Sequence, residues 1–287
     1  MTAAAIATVH GESGGRAVLG IGRGDSALAH LGRAPAPVAV FERYVAVVQA
    51  YLRGEPVTFD EASADLAGAP SPVGSLGLAK APADSRLHWV GTVGPKVPVA
   101  VVGTGPKVLA VGARHAERVT LAVGADPERV AWGRQVVDDA RRAAGLSPGG
   151  ASIGAYVNVV AHPDPAIALE LGSGGLATFA RFSTMHGSPA GPVADVDRGV
   201  LEEVHARYDM TSHTQAGSPQ AGVLTPGFAA RFAVYGPSAY CVDRLLELRD
   251  LGLDHLVVVG PSADADRAEA TAARRRFAAE VLPALRS

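Results

Sequence analysis

A single cysteine, Cys241, stands among 287 residues. One thiol can build neither a disulfide framework nor a cysteine-rich metal site, and its helical Ala/Leu surroundings favour a buried structural thiol over a nucleophile. Aromatic residues make up only 5% of the chain, which suits a many-looped α/β domain better than an aromatic-cored β-sandwich. There is no basic excess: the net charge of -2 and a pI near 6.5 leave no electrostatic footprint for nucleic acid. No uninterrupted apolar run reaches the length of a membrane span. The N-terminus lacks the basic stretch followed by an apolar run that marks a secretory signal. A cytoplasmic chain is the expectation.

What is present is apolar material and punctuation. Hydrophobic residues reach 48%, with 34 glycines and 20 prolines, ample for a large core cut into many short elements. The chain is organised around Arg16-Ala-Val-Leu-Gly-Ile-Gly-Arg-Gly-Asp25. Ala17–Ile21 reads as a short buried strand. Gly20, Gly22 and Gly24 then let the backbone turn tightly and approach a ligand, because no Cβ intervenes. A strand that ends in such a loop is a common place for a phosphate or flat cofactor in α/β proteins.

Further on, strand and helix alternate. A helix is expected over Val38–Arg53, and a long Pro/Gly/Ser/Ala-rich excursion over residues 55–95. Val97–Val102 is a valine-rich run of the kind buried on both faces. Strands follow at Arg118–Val123, Ile153–Ala161 and His255–Val259. Asp126-Pro127 and Asp164-Pro165 each read as an N-cap with proline at the first helical position. Residues 183–233 break the rhythm as a helical insertion, with a helix near Leu201–Tyr208 and another over Pro226–Ala233. The pattern predicts one α/β domain over residues 1–287 with parallel strands, about five of them readable, for which a doubly wound sheet and a (β/α)8 TIM-barrel both fit.

Three constellations carry candidate chemistry. The glycine loop at Gly20–Gly24 resembles a dinucleotide fingerprint, but the acidic residue expected about 20 residues on falls at Glu42, inside a helix. A tight turn with no ligand fits that pattern equally. Gly103-Thr104-Gly105-Pro106-Lys107 joins a buried strand to a helix whose first N–H groups lack intrahelical acceptors, and an anion would gain from them. A plain helix start capped by Thr104 is the alternative. His205, Asp209 and His213 recur every fourth residue and could hold a metal on one helix face. Thr211 and Ser212 are poor helix-interior residues, so solvated or substrate-facing histidines are preferred there. No Gly-x-Ser-x-Gly turn is present.

Taken together, the segments Thr2–Val9, Gly14–Ala27, Pro35-Ala-Pro37 with Phe41-Glu-Arg43, Gly54-Glu55, Pro98–Lys107, Gly236-Pro-Ser238 and Leu248–His255 resemble the luciferase-like monooxygenase superfamily. Within it, the chain is similar to coenzyme F420-dependent oxidoreductases related to methylenetetrahydromethanopterin reductase. The resemblance implies a (β/α)8 barrel, a homodimer, and a deazaflavin (F420) or flavin (FMN) across the C-terminal mouth. It implies that Gly22, Gly24 and Asp25 line that mouth, that Gly103, Thr104, Gly105 and Lys107 hold the cofactor phosphate, and that His186, His205 and His213 border the tail or a small-molecule substrate. The implied activity is hydride transfer, or oxygen addition in the monooxygenase variant; no catalytic residue is singled out. Two further readings are a degenerate barrel that binds a cofactor or phosphorylated ligand without turnover, and a metal hydrolase using His205, Asp209 and His213.

The resemblance also places about three barrel strands before the segment that matches Thr2–Val9. The expectation is a translation start upstream of Met1, the alternatives being a partner that completes the sheet and an inactive product. In-frame codons upstream should encode about three more βα units; a stop codon immediately before Met1 would refute this.

Overall fold

The computed structural model describes residues 1–63, 71–91 and 94–286. Six parallel strands form one sheet: β1 (Leu19–Ile21), β2 (Val99–Gly103), β3 (Arg118–Leu121), β4 (Ser152–Ala161), β5 (Val234–Gly236) and β6 (His255–Val259). The first four lie side by side in chain order. β4 then pairs with β6 over Gly154–Asn158 and with β5 over Val159–Ala161. Among the described residues the sheet does not close: β1 pairs only with β2, and β6 only with β4. It is a parallel, partial barrel.

The helices are α1 (Thr2–Glu12), α2 (Ser26–Ala29), α3 (Val38–Leu52), α4 (Phe59–Ser63), α5 (Pro106–His115), α6 (Pro127–Ala143), α7 (Pro165–Ser183), α8 (Asp195–Ala206), α9 (Pro226–Phe232), α10 (Ser238–Asp250) and α11 (Arg267–Arg276). Both Asp-Pro starts form as expected. Asp126 accepts from the Glu128 and Arg129 N–H groups, and Asp164 from that of Ala166.

Strand alternation divides the sheet into two unlike faces. Val99, Val101, Val119, Leu121, Ile153, Ala155, Val157 and Val159 point outward and pack under α3, α5, α6 and α10. The inner face is more polar, carrying Thr120, Ser152, Asn158 and His255. The His255 ring lies over Gly154, with Nε2 3.3 Å from the Thr120 hydroxyl and Nδ1 3.3 Å from that of Ser152.

α7 crosses the inner face on a run of small residues. A Cβ at Gly172 would overlap the Tyr235 ring, whose hydroxyl donates to the Gly172 carbonyl at 2.7 Å. One at Gly174 would overlap the Thr214 carbonyl, and one at Gly175 would lie 2.8 Å from Asn158 Oδ1. Leu171, Leu176 and Ala180 then join Leu201, Val204, Phe228 and Phe232 in a core shared by α7, α8 and α9.

Several boundaries differ from expectation. Within the 183–233 insertion, α8 starts at Asp195, six residues before Leu201. β5 adds a strand that three residues could not reveal by periodicity. Within the 55–95 excursion, α4 and a Val57–Ser85 bridge supply local order; residues 64–70 and 92–93 of it lie outside the described residues.

A paired substitution tests the close approach of α7. Gly174→Ala gains helix propensity of about 1 kcal/mol but forces the Thr214 backbone aside, so a net loss of about 1–3 kcal/mol is expected. Gly199→Ala on α8, where a Cβ meets nothing within 4 Å, should instead stabilise by roughly 0.5–1 kcal/mol. Thermal denaturation of the two variants reads the contrast.

Candidate functional site

The turns after β1 and β2 are neighbours because their strands are paired in register, Ile21 opposite Val101. A Cβ on Gly22 would come within 3.5 Å of the Val102 carbonyl. Gly24 has φ of 76°, and a Cβ there would meet the Leu28 side chain at 2.9 Å, so the turn needs glycine. At Gly103 a Cβ would meet Val108 at 2.9 Å; its absence lets α5 close down on β2.

Thr104 does not cap α5. Its buried hydroxyl donates to the Ala122 carbonyl at 3.0 Å and ties the turn to the end of β3. Gly105 is the N-cap, and Pro106, at the first helical position, has no N–H. The Val108 and Leu109 N–H groups both bond to the Gly105 carbonyl. The Lys107 N–H therefore remains as a first-turn donor without an acceptor among the described residues, beside an exposed ammonium group.

A second group closes over these turns from the far end of α7. The Asp25 carboxylate pairs with Arg181, both side chains being largely buried. The Arg181 guanidinium lies 4.6 Å from the centre of the Tyr208 ring. The Tyr208 hydroxyl is 2.7 Å from His213 Nδ1 and donates to Thr178 Oγ1 at 3.3 Å, and Thr178 donates to the Gly174 carbonyl at 2.9 Å. The next residue, Thr214, has φ of 67°, unusual for a β-branched residue, where its carbonyl meets Gly174.

Burial holds His213 below its ordinary 6.5; Arg181 and His30 act in the same direction and Asp25 opposes them. Burial likewise raises the Tyr208 phenol. Around pH 7 the cluster is thus an ion pair beside a neutral imidazole and a neutral phenol. Asp25 and His213 were sequence candidates. Arg181 and Tyr208 were not, and no local signal marks them: Asp25 and Arg181 are 156 residues apart in the chain.

The proposed metal face does not form. α8 ends at Ala206, which leaves His205 exposed on it. Asp209 instead caps the next turn, accepting from the Thr211 N–H and hydroxyl, while His213 turns to Tyr208. Among the described residues, no group of three or more His, Cys, Asp or Glu is gathered to hold a metal. The hydrolase reading fails on this geometry. His186 is exposed in the turn after α7.

Two hollows lie outside this cluster. One of about 450 Å³ sits in the outer layer between α1 and α3, near Tyr44 and Tyr51. The other, about 680 Å³ and open, runs along α11 beside Arg267, Thr271 and Arg275. No helix among the described residues is long and apolar enough to cross a membrane.

The model of the family described as luciferase-like monooxygenase matches residues 1–255. The 5,10-methylenetetrahydromethanopterin reductase of Methanolobus tindarius is 25% identical over 268 residues, covering 91% of this chain and 73% of that reductase. The coenzyme F420-dependent tetrahydromethanopterin reductase of Methanopyrus kandleri superposes with a TM-score of 0.63 at 21% identity, over 98% of this chain and 78% of that one. An F420-dependent secondary alcohol dehydrogenase, solved with an F420-acetone adduct, gives 0.63 at 17% identity, over 100% and 74% of the two chains. The EDTA monooxygenase of Chelativorans sp. gives 0.55 at 15% identity, over 99% and 69%.

Because folding lowers the His213 pKa, the unfolded chain binds more protons in the window below 6.5. The stability that neutral His213 contributes is complete above that value and is lost as pH falls toward the folded pKa. The thermal midpoint of the wild type should therefore fall more steeply between about pH 6.5 and 5 than that of His213→Asn, whose amide still pairs with Tyr208 but does not titrate. Parallel pH profiles for the two proteins would contradict the assignment.

Proposed function

We propose that this chain, which belongs to the luciferase-like monooxygenase family, is an F420- or flavin-dependent oxidoreductase that holds its cofactor at the C-terminal end of the sheet. Its relatives are oxidoreductases and monooxygenases, named for F420 in the reductase and alcohol dehydrogenase branches. F420 is the preferred cofactor and FMN the alternative. The observation that carries the reading is the side-by-side placement of the Gly22–Asp25 and Gly103–Lys107 turns, the second opening onto the N-terminus of α5.

The residues present fit such a group. At Gly105 a Cβ would meet nothing within 4 Å, so backbone is free to approach a ligand. The Lys107 ammonium, its N–H and the positive end of the α5 dipole suit an anionic tail. Thr104 acts as the strut that holds this turn against β3. Gly22 and Gly24 let this turn close onto the Val102 carbonyl and the Leu28 side chain, which places the Asp25 carboxylate at its rim. When bound, the reduced ring supplies a hydride to an organic substrate or, in the flavin case, reacts with oxygen; the chain supplies binding, position and exclusion of water. The position of α7 across the inner face favours a second reading, a barrel that binds the cofactor without turnover.

Titration with F420, FMN and riboflavin, read by absorbance and fluorescence, tests the assignment, and turnover with reduced cofactor separates the two readings. Lys107→Ala is expected to weaken FMN roughly tenfold, equivalent to about 1.4 kcal/mol, and to leave riboflavin, which has no phosphate, unchanged. Failure of the wild type to bind any of the three would refute the proposal.

A further inference from the structure

On the inner face of β4, Asn158 is 1% exposed, and neither its Nδ2 nor its Oδ1 has a hydrogen-bond partner among the described residues. Its polar neighbours on that face are satisfied: Thr120 and Ser152 meet His255, and Thr178 meets the Gly174 carbonyl. A buried amide with both ends unpaired is costly, and nothing in the packing of α7 recovers the loss. The surface opposite Asn158 is Gly175, mid-helix, whose backbone groups are committed to the helix and which has no side chain to offer.

The position of Asn158 is as informative as its lack of partners. In the sheet register, Gly103 lies opposite Leu121, and Leu121 opposite Ala155. Asn158 is three residues further along β4, roughly 10 Å toward the end where the two glycine turns lie. A carboxamide presents an acceptor and a donor side by side, which complements a ring edge in which a carbonyl adjoins an N–H.

We propose that Asn158 is a ligand-reading residue: its amide pairs with the carbonyl/N–H edge of a flat heteroaromatic ring that occupies the inner face when α7 withdraws. This rests on the cofactor assignment above and adds to it the residue that recognises the ring, as distinct from the tail. In the present conformation α7 covers the residue, held there by the Arg181 pair with Asp25. The core that α7 shares with α8 and α9 also takes in Val160 of β4, Tyr235 of β5 and Ala273 of α11, and Tyr235 and Ser262 hydrogen-bond to α7, so its withdrawal must break these contacts as well as the Arg181 pair. The apparent affinity is then reduced by the fraction of molecules in which α7 lies closed.

The test uses the full chain with riboflavin, FMN and F420 as probes, and the thermal midpoint without ligand as an independent readout. Asn158→Leu removes the unpaired amide at similar volume, so the ligand-free midpoint should rise by roughly 2–4 °C. The same variant should weaken riboflavin and FMN by an equal factor of at least about ten. Asn158→Asp, which keeps the shape but loses the donor, should weaken both as well. Arg181→Gln, which releases the end of α7, should tighten binding.

Wild-type affinity in Asn158→Leu, or a lowered midpoint, would overturn the proposal and leave the cofactor assignment standing. Weaker binding in Arg181→Gln would overturn the covering role of α7. If the wild type binds none of the three probes, the cofactor assignment falls and this inference with it.

Discussion

The contact on which the arrangement depends is the approach of one helix to the inner face of a parallel sheet. α7 comes close enough to touch Tyr235, the Thr214 carbonyl and Asn158 because Gly172, Gly174 and Gly175 offer no side chains at those points. Three glycines within a 19-residue helix cost about 1 kcal/mol each against alanine. That cost is offset by the packing they permit: Leu171, Leu176 and Ala180 bury with α8 and α9. Once α7 is in place, Arg181 reaches Asp25, and the turn holding His213 lies against the helix.

The two faces of the sheet divide the work. Outside, aliphatic side chains of β2, β3 and β4 meet α3, α5, α6 and α10 in dry cores. The buried Arg129 anchors that layer to the segment after α7. Its guanidinium donates to the Val123 and Pro192 carbonyls at 2.8 and 2.7 Å and to Ser183 Oγ at 2.9 Å, and lies 5.2 Å from the Phe232 ring centre. Burial lowers its pKa to about 10, which leaves it charged at neutral pH and in need of those acceptors. The inner face keeps its polar groups, and the glycine turns open at its C-terminal end. The outer face thus packs aliphatically, while the inner face keeps polar groups beneath α7.

Much of this frame was legible in the residues. Valine-rich runs placed β2 and β4 within two residues of their ends, and His255–Val259 matched β6. The Asp-Pro pairs named the first turns of α6 and α7 because a carboxylate at the N-cap and a proline at the first position serve only that local geometry. The two glycine turns met because adjacent parallel strands put their C-terminal ends side by side. Of the readings open for Thr104, capping α5 is the one the structure rejects, because its acceptor, the Ala122 carbonyl, belongs to the next strand and no spacing within the turn points to it. The spacing of His205, Asp209 and His213 implied one helix face, but Asp209 bonds to its own following turn and ends that periodicity.

Local chemistry and pattern, then, determined the strands, the helix starts and the two turns, since each depends on residues within a few positions of one another, and the order of such segments along the chain carried the family resemblance. Tertiary structure alone decided that Arg181 and Tyr208 join Asp25 and His213, that the glycines of α7 face the sheet, and that Asn158 is buried without a partner. Apart from the Tyr208–His213 contact, those outcomes rest on contacts between residues from more than a dozen to more than a hundred positions apart. No periodicity encodes such contacts; they arise only when the layers close and one side chain's acceptor becomes another's neighbour.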